Sequence, residues 1–254
     1  MSRRGYTLRV RLYSEDLSDS KRKCQILEAM FGGMCKLVQE NLKSHYVETL
    51  PVQNGQEPWV CGSRWKAGAS AASGDAHARR SLIRQIATHL TNGRVVFFHV
   101  DGDTRWRQRR TAEVWRHLER FRTDVATAMQ RGRAPRVFDD DHFIPAIPFV
   151  AMESWLFANV AVARERVASD AERARLDEWD ADLSRLDEVP QDPGLSIKDL
   201  LPSLDTSDYL ALASERYPAA RLDAAGTSYK CTVDRLRQSN AVVQGLKAAA
   251  AREY

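Results

Sequence analysis

Apolar residues recur along this chain with two periods, and each period predicts a different element. Between Tyr6 and Tyr13 every second residue is apolar, the pattern of a strand. Residues 94–100, Arg-Val-Val-Phe-Phe-His-Val, are apolar almost throughout and indicate a strand buried on both faces. A short strand is also indicated at 45–50. The run 142–150 is strand-like, but its two prolines favour an irregular or peripheral position in the sheet.

Helical spacing separates these runs. We predict helices after residue 19, from Asp75 (as the cap) to Leu90, and from Arg105 to Arg131. Their predicted buried stripes are Cys24, Leu27, Met30 and Phe31, then Leu82, Ile86 and Leu90, then Val114, Leu118, Phe121, Val125 and Met129. Strands that alternate with helices predict an α/β fold, a mostly parallel sheet flanked by helices.

The pattern changes after residue 163. An acidic helical stretch reaches Leu186, a proline-containing linker covers 189–194, and a last helix follows a turn at Gly226. We therefore predict a core domain over 1–163 and a helical C-terminal extension over 164–254 that packs on the core.

Composition narrows the class of protein. No run approaches the roughly 18 apolar residues of a membrane span. The basic start, Met-Ser-Arg-Arg, leads into a strand rather than an apolar signal core, so the expected location is the cytoplasm, with no membrane partner. Four scattered cysteines, at positions 24, 35, 61 and 231, show neither zinc-ligand spacing nor a disulfide framework.

Charge is unevenly distributed. Residues 104–136 hold ten arginines against three acidic residues, whereas 164–208 hold six basic residues against thirteen acidic ones. A basic segment of this kind suits a phosphate backbone, although the two segments also fit complementary helices or solvated faces. Trp59 and Trp65, in a long polar loop, are compatible with base stacking or, with more weight, with burial against the core.

Acidic residues follow the predicted strands. Asp101 and Asp103 end the apolar run and flank one glycine, so they suit either a solvated turn or ligation of one divalent cation. Glu15 and Asp19 follow the first strand just before a helix, where open α/β sheets place their sites. Glu153 lies in an apolar helix start, where a lone glutamate is either partnered or close to chemistry.

These residues resemble the Toprim domain, the Rossmann-like fold of topoisomerases, bacterial primases and OLD-type nucleases. The resemblance rests on Glu15, on Asp101-Gly102-Asp103, on Asp19 at the spacing of the OLD-type branch, and on the run 143–157 with Glu153. Small stand-alone Toprim proteins near that branch also place a lysine late in the chain, for which Lys230 is the weakest match. Asp16 stands where many Toprim domains have glycine.

The resemblance implies a nuclease with two Mg²⁺ or Mn²⁺ ions that cleaves phosphodiester bonds of DNA or RNA. Metal ligands would be Glu15, Asp19, Asp101 and Asp103, and the catalytic set would be Glu15, Asp101, Asp103, Glu153 and Lys230. The arginines expected to contact nucleic acid, with DNA favoured, are Arg105, Arg107, Arg109 and Arg110. The resemblance to OLD-type nucleases further implies a role in antiviral defence beside an ATPase. That ATPase would be a partner protein, since this chain has no phosphate-binding loop of its own.

Two other interpretations stay open. One is a catalytically silent module that binds nucleic acid or docks to an assembly. The other, with less weight, is a phosphatase of the haloacid-dehalogenase type, which also uses an aspartate pair after an apolar strand. That family expects a threonine two residues beyond the second aspartate, and Thr104 is one residue too early. The oligomeric state stays open.

Overall fold

Four parallel strands form the sheet in this computed structural model. They are β1 (Leu8–Ser14), β2 (Val47–Pro51), β3 (Val95–His99) and β4 (Phe143–Ala146), in the spatial order β2-β1-β3-β4. The structure describes residues 5–15, 21–51, 65–66, 73–102, 110–132, 135–149, 151–188 and 196–252. The predicted α/β class, with a parallel sheet flanked by helices, is confirmed. The Toprim identity of the fold stays a prediction.

Ten α-helices accompany the strands in the described part of the chain. They are α1 (Lys21–Val38), α2 (Ser73–Thr91), α3 (Arg110–Arg131), α4 (Met152–Leu156), α5 (Val160–Arg164), α6 (Asp170–Ala181), α7 (Thr206–Ser214), α8 (Ala219–Ala224), α9 (Ser228–Gln238) and α10 (Asn240–Ala251). Short 3₁₀ helices span Ser44–Tyr46, Leu183–Asp187 and Ile197–Leu200.

Two helix boundaries differ from prediction. Asp75 was expected to cap its helix, but α2 begins at Ser73 and Asp75 lies in the first turn. The last predicted helix is in fact two, because Ser239 leaves the helical conformation and its hydroxyl accepts a hydrogen bond from Val242 N as the cap of α10. Gly226 does form the expected turn, with a φ of 72°.

The central strand β3 is buried along its whole length and sends alternate side chains to two cores. Phe97 packs with α1 and the C-terminal helices, whereas Phe98 packs with α2 and α3. The predicted stripes of α2 and α3 are buried in the second core: Leu82, Ile86, Leu90, Val114, Leu118, Phe121, Val125 and Met129. Trp65 is also fully buried there, which favours its core role over base stacking.

The C-terminal helices share a core with the sheet. Leu212, Val233 and Leu246 belong to the same cluster of buried residues as Leu12 of β1. Helix α10 lies so close to β1 that a Cβ added at Gly245 would be 2.9 Å from the Cβ of Leu8. The boundary at residue 163 stays a prediction.

The position of β4 in the sheet agrees with the expectation from its sequence. β4 is an edge strand, as its prolines predict, since Pro145 has no N–H to donate to a second neighbour. Within the described residues, no helix combines the length and apolarity that crossing a membrane requires. The ion pairs that α3 makes through Arg122 and Asp124 go to Glu119, Asp140 and Arg79, none of which belongs to the acidic segment 164–208.

Candidate functional site

Glu15 and Asp101 meet at the carboxyl edge of the sheet. Glu15 directly follows β1, and its backbone N–H donates to His99 O at 3.3 Å, which extends the pairing with β3 by one residue. Asp101 lies two residues beyond β3, and its backbone N–H donates to Glu15 Oε2 at 2.8 Å. Because β1 and β3 are parallel neighbours, the fold itself brings these two acidic residues together.

The second oxygen of Glu15 faces an indole and an ammonium group. Trp65 Nε1 donates to Glu15 Oε1 at 3.4 Å, and Lys66 Nζ lies 4.0 Å from the same oxygen. Both charged side chains are largely buried, with 13% of Lys66 and 11% of Glu15 exposed. Lys66 was not among the predicted site residues. The only signal for it was a Trp-Lys pair in a long polar loop.

Asp101 is oriented by a helix start and by a buried histidine. Its Oδ1 accepts a hydrogen bond from Met152 N at 3.0 Å and lies 3.5 Å from His99 Nε2. His99 Nδ1 lies 2.7 Å from Ser14 Oγ, and both side chains are buried. When the Ser14 hydroxyl donates to Nδ1, the ring proton resides on Nε2 and faces the Asp101 carboxylate. Sequence reasoning missed both Ser14 and His99.

Gly102 is required by a close approach of two backbone segments. Its N–H donates to Pro148 O at 3.0 Å, and an added Cβ would lie 2.3 Å from Phe149 O. Those oxygens belong to the backbone, so they cannot move aside as a flexible side chain would. The glycine therefore fixes Asp101 against the segment that follows β4.

The same segment is held by Ser228, the first residue of α9. Ser228 Oγ accepts hydrogen bonds from Trp155 Nε1 at 2.9 Å and from Phe149 N at 3.3 Å. The hydroxyl donates to Asp187 Oδ1 at 2.8 Å, and Ser228 N donates to the other oxygen of that carboxylate. Burial raises the pKa of Asp187, and the two bonds from Ser228 oppose this shift.

Lys230 and Glu153 each have a partner outside the Glu15–Asp101 pair. Lys230, two residues beyond Ser228, donates to Asp234 Oδ2 at 2.5 Å, one turn along α9. Glu153 is 4% exposed, and its Oε1 lies 3.0 Å from Nζ of the half-exposed Lys198. Its neighbour Met152 provides the N–H that Asp101 accepts. The predicted catalytic roles of Lys230 and Glu153 stay predictions.

The remaining predicted site residues lie outside the described residues. They are Asp19, Asp103, Arg105, Arg107 and Arg109, together with the neighbouring Asp16. Arg110 begins α3, but its side chain is not among those described. Within the described ranges, no group of three or more His, Cys, Asp or Glu side chains is arranged to hold a metal ion. The described part of the site therefore contains one carboxylate pair.

Comparison with known proteins adds no assignment. No family model, curated protein or solved structure matches this chain.

Proposed function

We propose that this chain is a Mg²⁺- or Mn²⁺-dependent nuclease that hydrolyses phosphodiester bonds, with DNA as the favoured substrate. The observation that carries the proposal is the meeting of Glu15 and Asp101 at the carboxyl ends of adjacent parallel strands, joined by the bond from Asp101 N to Glu15 Oε2. This edge is where open parallel sheets bind their ligands.

The chemistry of the two side chains fits a hard divalent cation. Carboxylate oxygens are the ligands that Mg²⁺ and Mn²⁺ prefer in proteins. In the proposal Glu15 and Asp101 would hold the first metal ion, and Asp19 and Asp103 would help to hold the second. A bound divalent cation supplies Lewis acidity at a phosphate oxygen and a water of lowered pKa.

The chain's own residues orient these ligands. His99 and Met152 N both face Asp101 Oδ1, so the position of this carboxylate is set from two sides. Lys66, 4.0 Å from Glu15 Oε1, brings a positive charge to the pair. In the proposal that charge, with Lys230 and the arginines at 105, 107, 109 and 110, offsets the negative charge of the phosphodiester, and Glu153 orients a ligand or a water.

Antiviral defence and a partner ATPase rest on the Toprim resemblance and belong to the proposal on that ground alone.

A second candidate is a catalytically silent module that binds nucleic acid. The placement of Lys66 beside Glu15 and of Lys198 beside Glu153 favours it, because a lysine can take the place of a metal ion as the partner of a carboxylate.

Plasmid cleavage tests the proposal. Purified protein is incubated with supercoiled DNA and Mn²⁺, beside a double variant with Asp101→Ala and Asp103→Ala. The matched control, with Asp170→Ala and Asp177→Ala, removes two acidic residues from the exposed surface of α6. We expect cleavage by the wild type and the control but not by the site variant. Equal cleavage by the site variant would refute the assignment, and metal-independent binding without cleavage would favour the silent module.

A further inference from the structure

A groove runs between α3 and α9 along the outer edge of β4. It contains a half-open cavity of about 210 Å³, lined by Trp115 and Arg122 of α3, by Arg235 and Gln238 of α9, and by Asp140 and Asp141 before β4. We call it the α3–α9 groove. Neither Arg235 nor Gln238 was predicted from the sequence as a site residue.

Arg235 is the side chain in this groove whose charge has no carboxylate partner in the described structure. Its guanidinium lies 4.7 Å from the centroid of the Trp115 ring and donates to the carbonyl oxygen of Cys231 at 3.3 Å. The acidic residue next to it in sequence, Asp234, is already paired with Lys230 and Arg237. Burial lowers the pKa of Arg235, since its charge is partly desolvated, and the nearby Cys231 and Asp234 oppose this shift.

The groove is also lined by two aspartates, Asp140 and Asp141. Arg122 donates to Glu119 Oε1 at 2.7 Å and also to Asp140. Asp141 Oδ1 accepts the N–H of Asn240 at 3.2 Å, at the start of α10. Among the described residues of the groove, Arg235 is therefore the guanidinium that forms no ion pair. Gln238 lies three residues after Arg235, which places its amide on the same face of α9.

The groove also has a fixed relation to the candidate site. Helix α9 begins at Ser228, which bonds Phe149 N beside Gly102, and Arg235 follows seven residues later, about 10 Å along the helix axis. Helix α3 begins at Arg110, nine residues after Asp101. Both walls thus lead away from the edge of the sheet that carries Glu15 and Asp101.

We propose that the α3–α9 groove binds a phosphate group of a nucleic acid strand through Arg235 and Gln238. A guanidinium held over an indole ring, 4.7 Å from its centroid, is already ordered, so less conformational entropy is lost when its N–H groups bind phosphate. The choice of a nucleic acid rests on the proposed function, whereas the anion-binding character of the groove rests on Arg235.

Salt-dependent binding of a labelled single-stranded DNA tests this site. The measurement is fluorescence anisotropy in EDTA, so that cleavage plays no part, at salt concentrations from about 50 to about 200 mM. Arg235→Gln is compared with Arg237→Gln, which removes the same charge from the same helix but from a side chain paired with Asp223 and Asp234. Arg235→Lys keeps the charge, and thermal melting shows that each variant is folded.

We expect Arg235→Gln to bind about tenfold more weakly at low salt, as for loss of one charge-assisted hydrogen bond. The slope of log K against log salt should fall by about 0.7, the value for one phosphate contact on a single strand. Arg237→Gln should keep the wild-type slope, and Arg235→Lys should largely restore it.

Three results would overturn the proposal: equal effects of Arg235→Gln and Arg237→Gln, no binding by the wild type, or displacement by inorganic phosphate as efficient as by unlabelled strand. The last result would assign the groove to free phosphate. Binding that depends on Arg235 in a protein without nuclease activity would refute the proposed function and leave this site intact.

Discussion

The carboxylates of two clusters differ in the groups that surround them. In the first, which we call the Glu172 cluster, Ser169 and Ser203 surround one carboxylate at the start of α6. Glu172 Oε2 accepts bonds from Ser169 N at 3.0 Å, Ser169 Oγ at 2.8 Å and Ser203 Oγ at 2.7 Å, and Oε1 accepts from Ser203 N at 2.9 Å. All four donors are neutral groups of the chain. Glu172 thus completes the capping box of α6 with Ser169 and ties the helix to the segment before α7.

In the second, the strand-end cluster of Glu15, Asp101, His99 and Lys66, the two carboxylates come from neighbouring strands. Each accepts one backbone N–H bond, and each faces a basic side chain: Lys66 for Glu15 and the imidazole of His99 for Asp101. The contrast teaches that neutral local donors make a carboxylate an anchor of the fold. Two carboxylates brought together beside a lysine and a histidine at a sheet edge suit the binding of a charged ligand.

The largest expected effect is on activity at the strand-end cluster. Asp101→Asn keeps an Oδ1 that can accept the bond from Met152 N, so the fold should be preserved. We expect cleavage to fall by about a hundredfold or more, since a metal ligand is lost, with little change in melting temperature. Single-turnover cleavage of a labelled duplex measures the first effect. A variant that melts far below the wild type would assign Asp101 to the fold instead.

Glu172→Ala should produce the opposite result. It leaves the donors of Ser169 and Ser203 without their acceptor, so we expect a loss of about 3 kcal/mol of unfolding free energy. Cleavage at a temperature where the variant is folded should equal that of the wild type. Urea unfolding measures the loss. Unchanged stability would mean that the four bonds are replaced by water at no cost, and would remove the contrast between the clusters.

Gly102→Ala tests how the strand-end cluster is held by the rest of the fold. The new Cβ would lie 2.3 Å from Phe149 O and 2.6 Å from Pro148 O, so the backbone must shift. We expect a loss of about 2 kcal/mol and a large loss of cleavage, because Asp101 moves with its neighbour.

The matched control is Gly74→Ala in the exposed first turn of α2, where an added Cβ meets nothing within 4 Å. There we expect stability to be unchanged or raised by up to about 1 kcal/mol. Equal effects of the two substitutions in urea unfolding would contradict the close approach at Gly102.

The smallest expected effect is a dependence of stability on pH. Burial raises the pKa of Glu172, but the bonds from Ser203 and Ser169 outweigh this effect and lower the pKa to about 2, below the ordinary 4.5. A carboxyl with a lowered pKa in the folded state stabilises the protein above its unfolded pKa, and this contribution is lost as the pH falls from about 5 to 2. The stability difference between wild type and Glu172→Gln should narrow over that range. A constant difference in urea midpoints would contradict the assignment.

Much of the fold follows from local pattern. The stripe from Val114 to Met129 is buried as predicted because a period of 3.6 residues leaves one apolar face. The place of β4 at the edge follows from Pro145. The break at Ser239 was missed because the apolar spacing continues across it. The cap is recognisable only in the structure, from the hydrogen bond that Ser239 Oγ accepts from Val242 N.

Only the site residues that directly follow strands could be predicted from the sequence. Glu15 and Asp101 could be paired because the carboxyl ends of parallel strands meet at one edge. Ser14 and His99 were missed because their contact joins positions 85 residues apart, and Lys66 because its loop gives no periodic signal. Gly102 was predicted as part of a turn, whereas its structural reason is the backbone of Pro148 and Phe149.

The central claim is that Glu15 and Asp101 together bind a divalent cation, and Mn²⁺ titration followed by calorimetry tests it most directly. Wild-type protein is compared with the Glu15→Gln, Asp101→Asn double variant and with Glu172→Gln, each confirmed as folded. We predict Mn²⁺ binding by the wild type and by Glu172→Gln, and its loss in the double variant. Equal Mn²⁺ affinity in the double variant, or no binding by the wild type, would contradict the account.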